Sequence, residues 1–120
     1  MRALIVDDSR AVRRILAGML AELGFETCEA ANGCDAVNQL ATGLQPDVML
    51  VDWNMPEMSG LQMVQAVRRD PKYQATPIMM VTSETELEPM RQALEAGANE
   101  YVMKPFGKEM IADKLQLLGF

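Results

Sequence analysis

Five short apolar runs recur along this chain, each followed by a stretch with helical spacing, and that alternation leaves few folds open. The runs are Ala3–Val6, Phe25–Ala30, Asp47–Val51, Pro77–Val81 and Glu100–Met103. Ser9 reads as the N-cap of a first helix carrying Val12, Ile15, Leu16, Met19, Leu20 and Leu23, with Gly24 closing it. After the Asn32-Gly33 turn, a second helix carries Ala36, Val37, Leu40 and Ala41 and stops near Gly43. A third runs from about Ser59 to Arg69 with Leu61, Val64 and Val67 inward, and Asp70-Pro71 ends it. A fourth spans Glu86 to Ala96, with Leu87, Met90 and Leu94 on one face and Gly97 at its end. A fifth, Lys108 to Leu118, buries Ile111, Leu115 and Leu118. Near-continuous apolar strands alternating with helices predict one α/β domain over residues 1–120, a parallel sheet covered on both faces. Glu26 and Glu29 mark the second strand as an edge.

Composition narrows the chemistry. The chain has 120 residues, is 49% apolar and carries a net charge of −6 without any histidine. A direct nucleic-acid partner is not expected, because phosphate backbones call for clustered Lys and Arg. Histidine-based acid/base catalysis and histidine-ligated metals are excluded, so any metal should be hard and oxygen-bound. Cys28 and Cys34 form no CxxC pair and are expected as small buried residues in a reducing compartment. The eleven methionines read as core filling. The first apolar run is too short to export or span anything, so a soluble cytoplasmic protein without membrane contact is expected.

In a parallel sheet all strand carboxyl ends share one edge, where open α/β sheets keep their chemistry. The strands here end in, or lead directly into, Asp7-Asp8, Asp52, Thr82-Ser83 and Lys104-Pro105. Three carboxylates, a hydroxyl and an ammonium therefore converge on one crevice. Three close carboxylates repel, and some would take up protons unless compensated. Lys104 supplies one positive charge, and a divalent cation would bring the formal sum to zero. Mg²⁺ suits such a set of carboxylates, carbonyl and retained waters. The bland alternative, a solvated acidic rim, does not account for Thr82 and Lys104 arriving at the same edge. Such a pocket fits phosphoryl transfer, with a carboxylate as the best nucleophile available. There is no GxxxxGK[ST] loop for a nucleotide.

Asp7-Asp8, Asp52, Thr82 and Lys104-Pro105, in this order and spacing, resemble the receiver domain of two-component response regulators. The resemblance covers the whole chain. The runs DWNMPEMSG and YVMKPF are most similar to its stand-alone chemotaxis-type members. It implies a flavodoxin-like (βα)5 fold with strand order 2-1-3-4-5. It also implies that Asp52 accepts a phosphoryl group from a phosphohistidine on a sensor histidine kinase or phosphotransfer domain. Asp8, Asp52 and the backbone carbonyl of Asn54 would hold Mg²⁺, with Mn²⁺ as a substitute, and Asp7 would orient a metal-bound water. Lys104 would meet the developing charge, and the bond before Pro105 would be cis. Thr82 would hydrogen-bond the bound phosphoryl group and Tyr101 would turn inward behind it. The fourth helix, fifth strand and fifth helix would then present a second arrangement to a downstream protein target.

On the same resemblance, Asn54 and Glu84 flank the path of the hydrolytic water and tune phosphoryl lifetime. Solvent-facing loop residues would read equally well. Trp53, next to the nucleophile, is a reporter whatever its packing role. Arg13 and Arg14 read as a solvated helix face, with kinase docking as the alternative. The protein would be no enzyme in the ordinary sense, catalysing only its own phosphorylation and dephosphorylation. The Met1 start and the stop at Phe120 favour a stand-alone module over a receiver cut from a longer regulator or hybrid kinase. An aspartyl phosphatase of the haloacid-dehalogenase type would need DxDx[TV] where this chain reads Asp7-Asp8-Ser9-Arg10. A flavin carrier would need a glycine- and hydroxyl-rich phosphate loop there, and Asp7-Asp8 would repel the phosphate.

Overall fold

The computed structural model describes residues 1–83 and 87–120, apart from the side chain of Leu87. Strands β1 (Arg2–Val6), β2 (Glu26–Ala30), β3 (Val48–Asp52), β4 (Ile78–Thr82) and β5 (Glu100–Met103) alternate with helices α1 (Arg10–Glu22), α2 (Gly33–Ala41), α3 (Gly60–Arg69), α4 (Leu87–Ala96) and α5 (Lys108–Leu117). The strands form one parallel sheet in the order β2-β1-β3-β4-β5, the flavodoxin-like order. A 3-10 turn at Pro71–Tyr73, not expected from the sequence, follows α3.

Strand side chains alternate between faces, so the sheet separates two cores. Leu4, Val6, Met49, Val51, Ile78 and Met80 pack with residues of α2, α3 and α4. Ala3, Ile5, Val48, Leu50, Met79, Val81 and Val102 pack with α1 and α5. All five residues of β3 and of β4 are buried, as their apolar runs require. The edge strand β2 leaves Glu26 and Glu29 exposed, as expected.

Local signals set the helix ends. Ser9 caps α1 by accepting from the Val12 amide. Asn32, expected only as a turn residue, caps α2 through the Asp35 amide. Ser59 and Gln62 form a capping box at α3. Gly24 takes φ 92°, a left-handed backbone that glycine adopts without steric cost, and turns the chain from α1 into β2.

Several inward assignments are corrected. In α3 the buried row is Gly60, Met63, Val64 and Val67, and Leu61 falls beside it, half-buried. In α1 the buried row is Leu16 and Leu20, which leaves Ile15 53% exposed. In α4, Ala93 takes the buried position and Leu94 turns outward at 43%. Leu118 is half-buried as the C-cap of α5. Cys34 is exposed and Cys28 half-buried, against the expectation that both are buried. Cys34 sits beside the buried Gly33 on the outer side of the first turn of α2. The expected start of α4 at Glu86 lies outside the described residues.

Candidate functional site

Sheet register brings the strand ends into phase. Val6 pairs with Val51, Asp52 with Val81 and Thr82 with Met103. Asp7 therefore lies one step past β1 beside Asp52, and Lys104 one step past β5. Asp7 and Asp52 also continue the side of the sheet occupied by Ile5 and Leu50, the side covered by α1 and α5. Thr82 continues the other side, that of Ile78 and Met80.

One oxygen from each of Asp7, Asp8 and Asp52 lies within 4.8 Å of the others. Asp7 is 1% and Asp52 4% exposed, whereas Asp8 is exposed. The Lys104 ammonium donates to Asp52 Oδ1 at 3.2 Å and to Asp7 Oδ2 at 3.3 Å. Asp7 Oδ1 accepts from the Ser9 amide at 2.8 Å. The Lys104-Pro105 peptide bond is cis.

Charge in this pocket is under-compensated. Burial, and then the neighbouring Asp7, push the Asp52 carboxyl up to about 6, with Lys104 opposing the rise. Burial alone would depress the Lys104 ammonium, but the attraction of Asp52 and Asp7 outweighs it and raises it. Two carboxylates share one lysine while a third faces solvent, which leaves a formal charge of −2. A compact set of hard oxygens with that deficit fits Mg²⁺. Asp7, Asp8 and Asp52 form that acidic group.

The loop after β3 has its own device. The Gly60 amide donates to the Trp53 carbonyl at 2.9 Å. A Cβ on Gly60 would stand 2.4 Å from the Asp52 carbonyl oxygen and 3.0 Å from Trp53 Cα. Only glycine lets α3 begin this close to the end of β3. Glu57 takes φ 68° beside Pro56, a backbone rare outside glycine, which the sequence did not signal.

The remaining expected residues are distributed around this pocket. Thr82 is buried and lines a small apolar cavity with Met80 and Tyr101 from the sheet, Trp53 from the loop after β3, and Met90, Ala93 and Leu94 from α4. Tyr101 is half-buried against this cavity, with the Lys114 ammonium 5.2 Å from its ring centre. Asn54 is exposed in the loop after Asp52. Glu84 lies outside the described residues. Arg14 is exposed as expected, but Arg13 is not a solvated residue: its side chain is 14% exposed and reaches Glu29 and the Asp7 carbonyl.

Known proteins resemble this chain in sequence and fold. The model of the response regulator receiver domain matches residues 3–116. The chain is 40% identical over 119 residues to the chemotaxis protein CheY1 of Helicobacter pylori, covering 98% of this chain and 96% of that protein. It is 40% identical over 117 residues to the chemotaxis protein CheY of Pseudomonas aeruginosa, covering 97% and 94%. The solved structure of the chemotaxis protein CheY4 of Vibrio cholerae superposes with a TM-score of 0.91 at 37% identity, covering 98% of this chain and 97% of that one. The chain belongs to the response regulator receiver domain family. Its role is that of a phosphoacceptor signalling module in two-component signal transduction. Among the described residues, no helix is long and apolar enough to cross a membrane.

Proposed function

We propose that residues 1–120 form one receiver domain that accepts a phosphoryl group on Asp52 from a histidine kinase or phosphotransfer domain. The observation that carries this reading is the pairing of a buried, under-compensated Asp52 with Lys104 at 3.2 Å. Asp52 supplies the attacking carboxylate oxygen, and the bond from phosphorus to the histidine nitrogen breaks as the new bond to oxygen forms. Lys104, already beside Asp52 Oδ1, stays close to the charge on the equatorial oxygens. Asp8, Asp52 and the Asn54 carbonyl would hold Mg²⁺, and Asp7, anchored by Ser9 and Lys104, would orient a water beside it. When bound, Mg²⁺ would supply the positive charge that lets an anionic donor approach three carboxylates.

The output follows from Thr82 and Tyr101, which share one cavity with α4. A phosphoryl group on Asp52 offers Thr82 a new acceptor, and Tyr101 closes in behind it. The surface of α4, β5 and α5 is thereby biased toward a second arrangement for a downstream protein. Asn54 and Glu84 tune how long the phosphoryl group lasts. The similarity to chemotaxis proteins over nearly their full length supports a stand-alone chemotaxis-type regulator. The site turns over no other substrate; it makes and breaks only its own acyl phosphate.

The test is Trp53 emission on adding acetyl phosphate with and without Mg²⁺, in wild type and in Asp52→Asn. A Mg²⁺-dependent response that the variant loses is expected. A response that survives Asp52→Asn removes Asp52 as the acceptor.

A further inference from the structure

Arg13 lies in the first turns of α1, yet its guanidinium is turned back under the loop that follows β1. Its Nη1 donates to the Asp7 carbonyl at 2.7 Å, and its Nε donates to Glu29 Oε1 at 3.1 Å. The arginine side chain is 14% exposed and that of Glu29 is 39% exposed, so this pair is less screened than an ordinary surface ion pair. Glu29 belongs to β2, so the contact joins three elements: the end of β1, α1 and the edge strand.

The accepting atom gives the contact its meaning. The Asp7 carbonyl is part of the planar peptide unit that carries the nitrogen and Cα of Asp8. Anchoring that oxygen fixes the tilt of the plane, and with it the direction in which the Asp8 side chain leaves the backbone. The same loop is held at the Asp7 amide by Ala30 O at 3.2 Å and at Asp7 Oδ1 by the Ser9 amide. Asp7 and Asp52 are both tied to Lys104. Among the described residues, no hydrogen bond or salt bridge holds the Asp8 carboxylate, although it is one of the three oxygen donors. Its placement depends on the backbone beneath it.

We propose that Arg13 is a positioning residue for the acidic pocket: it clamps the Asp7–Asp8 peptide plane, with Glu29 holding the clamp, and so sets Asp8 for Mg²⁺. This inference rests on the reading of Asp7, Asp8 and Asp52 as the Mg²⁺ site. Removal of such outer partners of metal ligands lowers metal affinity by about 10- to 100-fold.

The sign of the effect separates positioning from charge. Arg13 is a cation near a cation site, so by electrostatics alone its removal should tighten Mg²⁺ binding. Positioning predicts the opposite. Mg²⁺ affinity is measured by calorimetry and by Trp53 emission for wild type, Arg13→Ala, Arg13→Lys and Glu29→Gln, with thermal unfolding of the metal-free proteins in parallel. Arg13→Ala is expected to weaken Mg²⁺ binding by about 10-fold. Arg13→Lys, which keeps the charge and one donor for the carbonyl, should recover most of that loss, and Glu29→Gln should fall between. Unchanged or tighter Mg²⁺ binding in folded Arg13→Ala overturns the inference, including where its unfolding midpoint alone has dropped. An Asp8→Asn control should lose most Mg²⁺ affinity. If wild type and that control bind Mg²⁺ alike, the metal-site reading itself fails and the clamp falls with it.

Discussion

Lys104 Nζ stands 3.2 Å from Asp52 Oδ1, joining the loop after β5 to the end of β3 across β4, which lies between them in the sheet. The same ammonium reaches Asp7, so one lysine holds two buried carboxylates together. Replacing Lys104 with Met should separate two of its effects. Phosphorylation from acetyl phosphate should fall by about 100-fold or more, as when a preorganised donor to a developing anion is lost. Mg²⁺ affinity should rise, because a cation competing for Asp7 and Asp52 is gone. Single-turnover phosphorylation and metal titration of the same variant check both directions.

The Asp52 carboxyl is raised from its ordinary 3.8 to about 6 in the folded chain, first by burial and then by Asp7. The folded state thus keeps a proton that the unfolded chain has already released. For this group, stability falls as pH rises from 3.8 to about 6, and the penalty is complete above that. Metal-free Asp52→Asn should therefore be more stable than wild type at neutral pH. The gap should shrink as pH drops through that window, and Mg²⁺ should narrow it at neutral pH by stabilising only the folded wild type. Thermal unfolding midpoints across pH measure it.

Gly60→Ala tests the approach of α3 to β3. A methyl group there meets backbone, the Asp52 carbonyl at 2.4 Å and Trp53 Cα at 3.0 Å, which cannot rotate away. The expected cost is about 1–3 kcal/mol in urea unfolding. Because the displaced atoms belong to Asp52 and Trp53, phosphorylation should slow as well.

Arg68 offers the converse, stability without chemistry. It donates to the Gly97 carbonyl at 3.0 and 2.9 Å, to the Tyr73 carbonyl and to Asn99 Oδ1 at 2.8 Å. Asn99 Oδ1 also accepts from the Ile78 amide at the start of β4. These contacts lie at the strand starts, the edge of the sheet opposite the acidic pocket. Arg68→Ala should cost about 2–4 kcal/mol by leaving several acceptors without a donor. Mg²⁺ affinity and the phosphorylation rate of the folded fraction should stay within about twofold of wild type, consistent with the near-additivity of distant sites.

Asp7, Asp8, Asp52, Thr82 and Lys104 were legible in the chain because each follows or closes an apolar run, and parallel strands must all end on one edge. Helical spacing was less decisive. It grouped Ile15 with Leu16 and Leu94 with Met90, but an apolar stripe can be wider than the face a helix buries, and Ile15 and Leu94 fell outside it. Leu61 lies at the edge of the same stripe: at 100° per residue Gly60, Met63, Val64 and Val67 cluster on one face and Leu61 falls over a quarter turn from its centre. Cys34 shows the limit of composition: its type suggests burial, while its position beside Gly33 places it outside.

The sequence by itself determined the type and order of the elements and which chemical groups meet at one edge of the sheet. Those are properties of local spacing and of the shared direction of parallel strands. Only the tertiary structure decided that Asp7 and Asp52 are buried and share Lys104 while Asp8 faces solvent. It also decided that Arg13 turns inward to the Asp7 carbonyl instead of outward. Burial and pairing depend on sheet register and on contacts between elements distant in the chain, such as Arg13 with Glu29 of β2 or Lys104 with Asp52. Desolvation of a charge is fixed by everything packed around it, which no stretch of sequence contains.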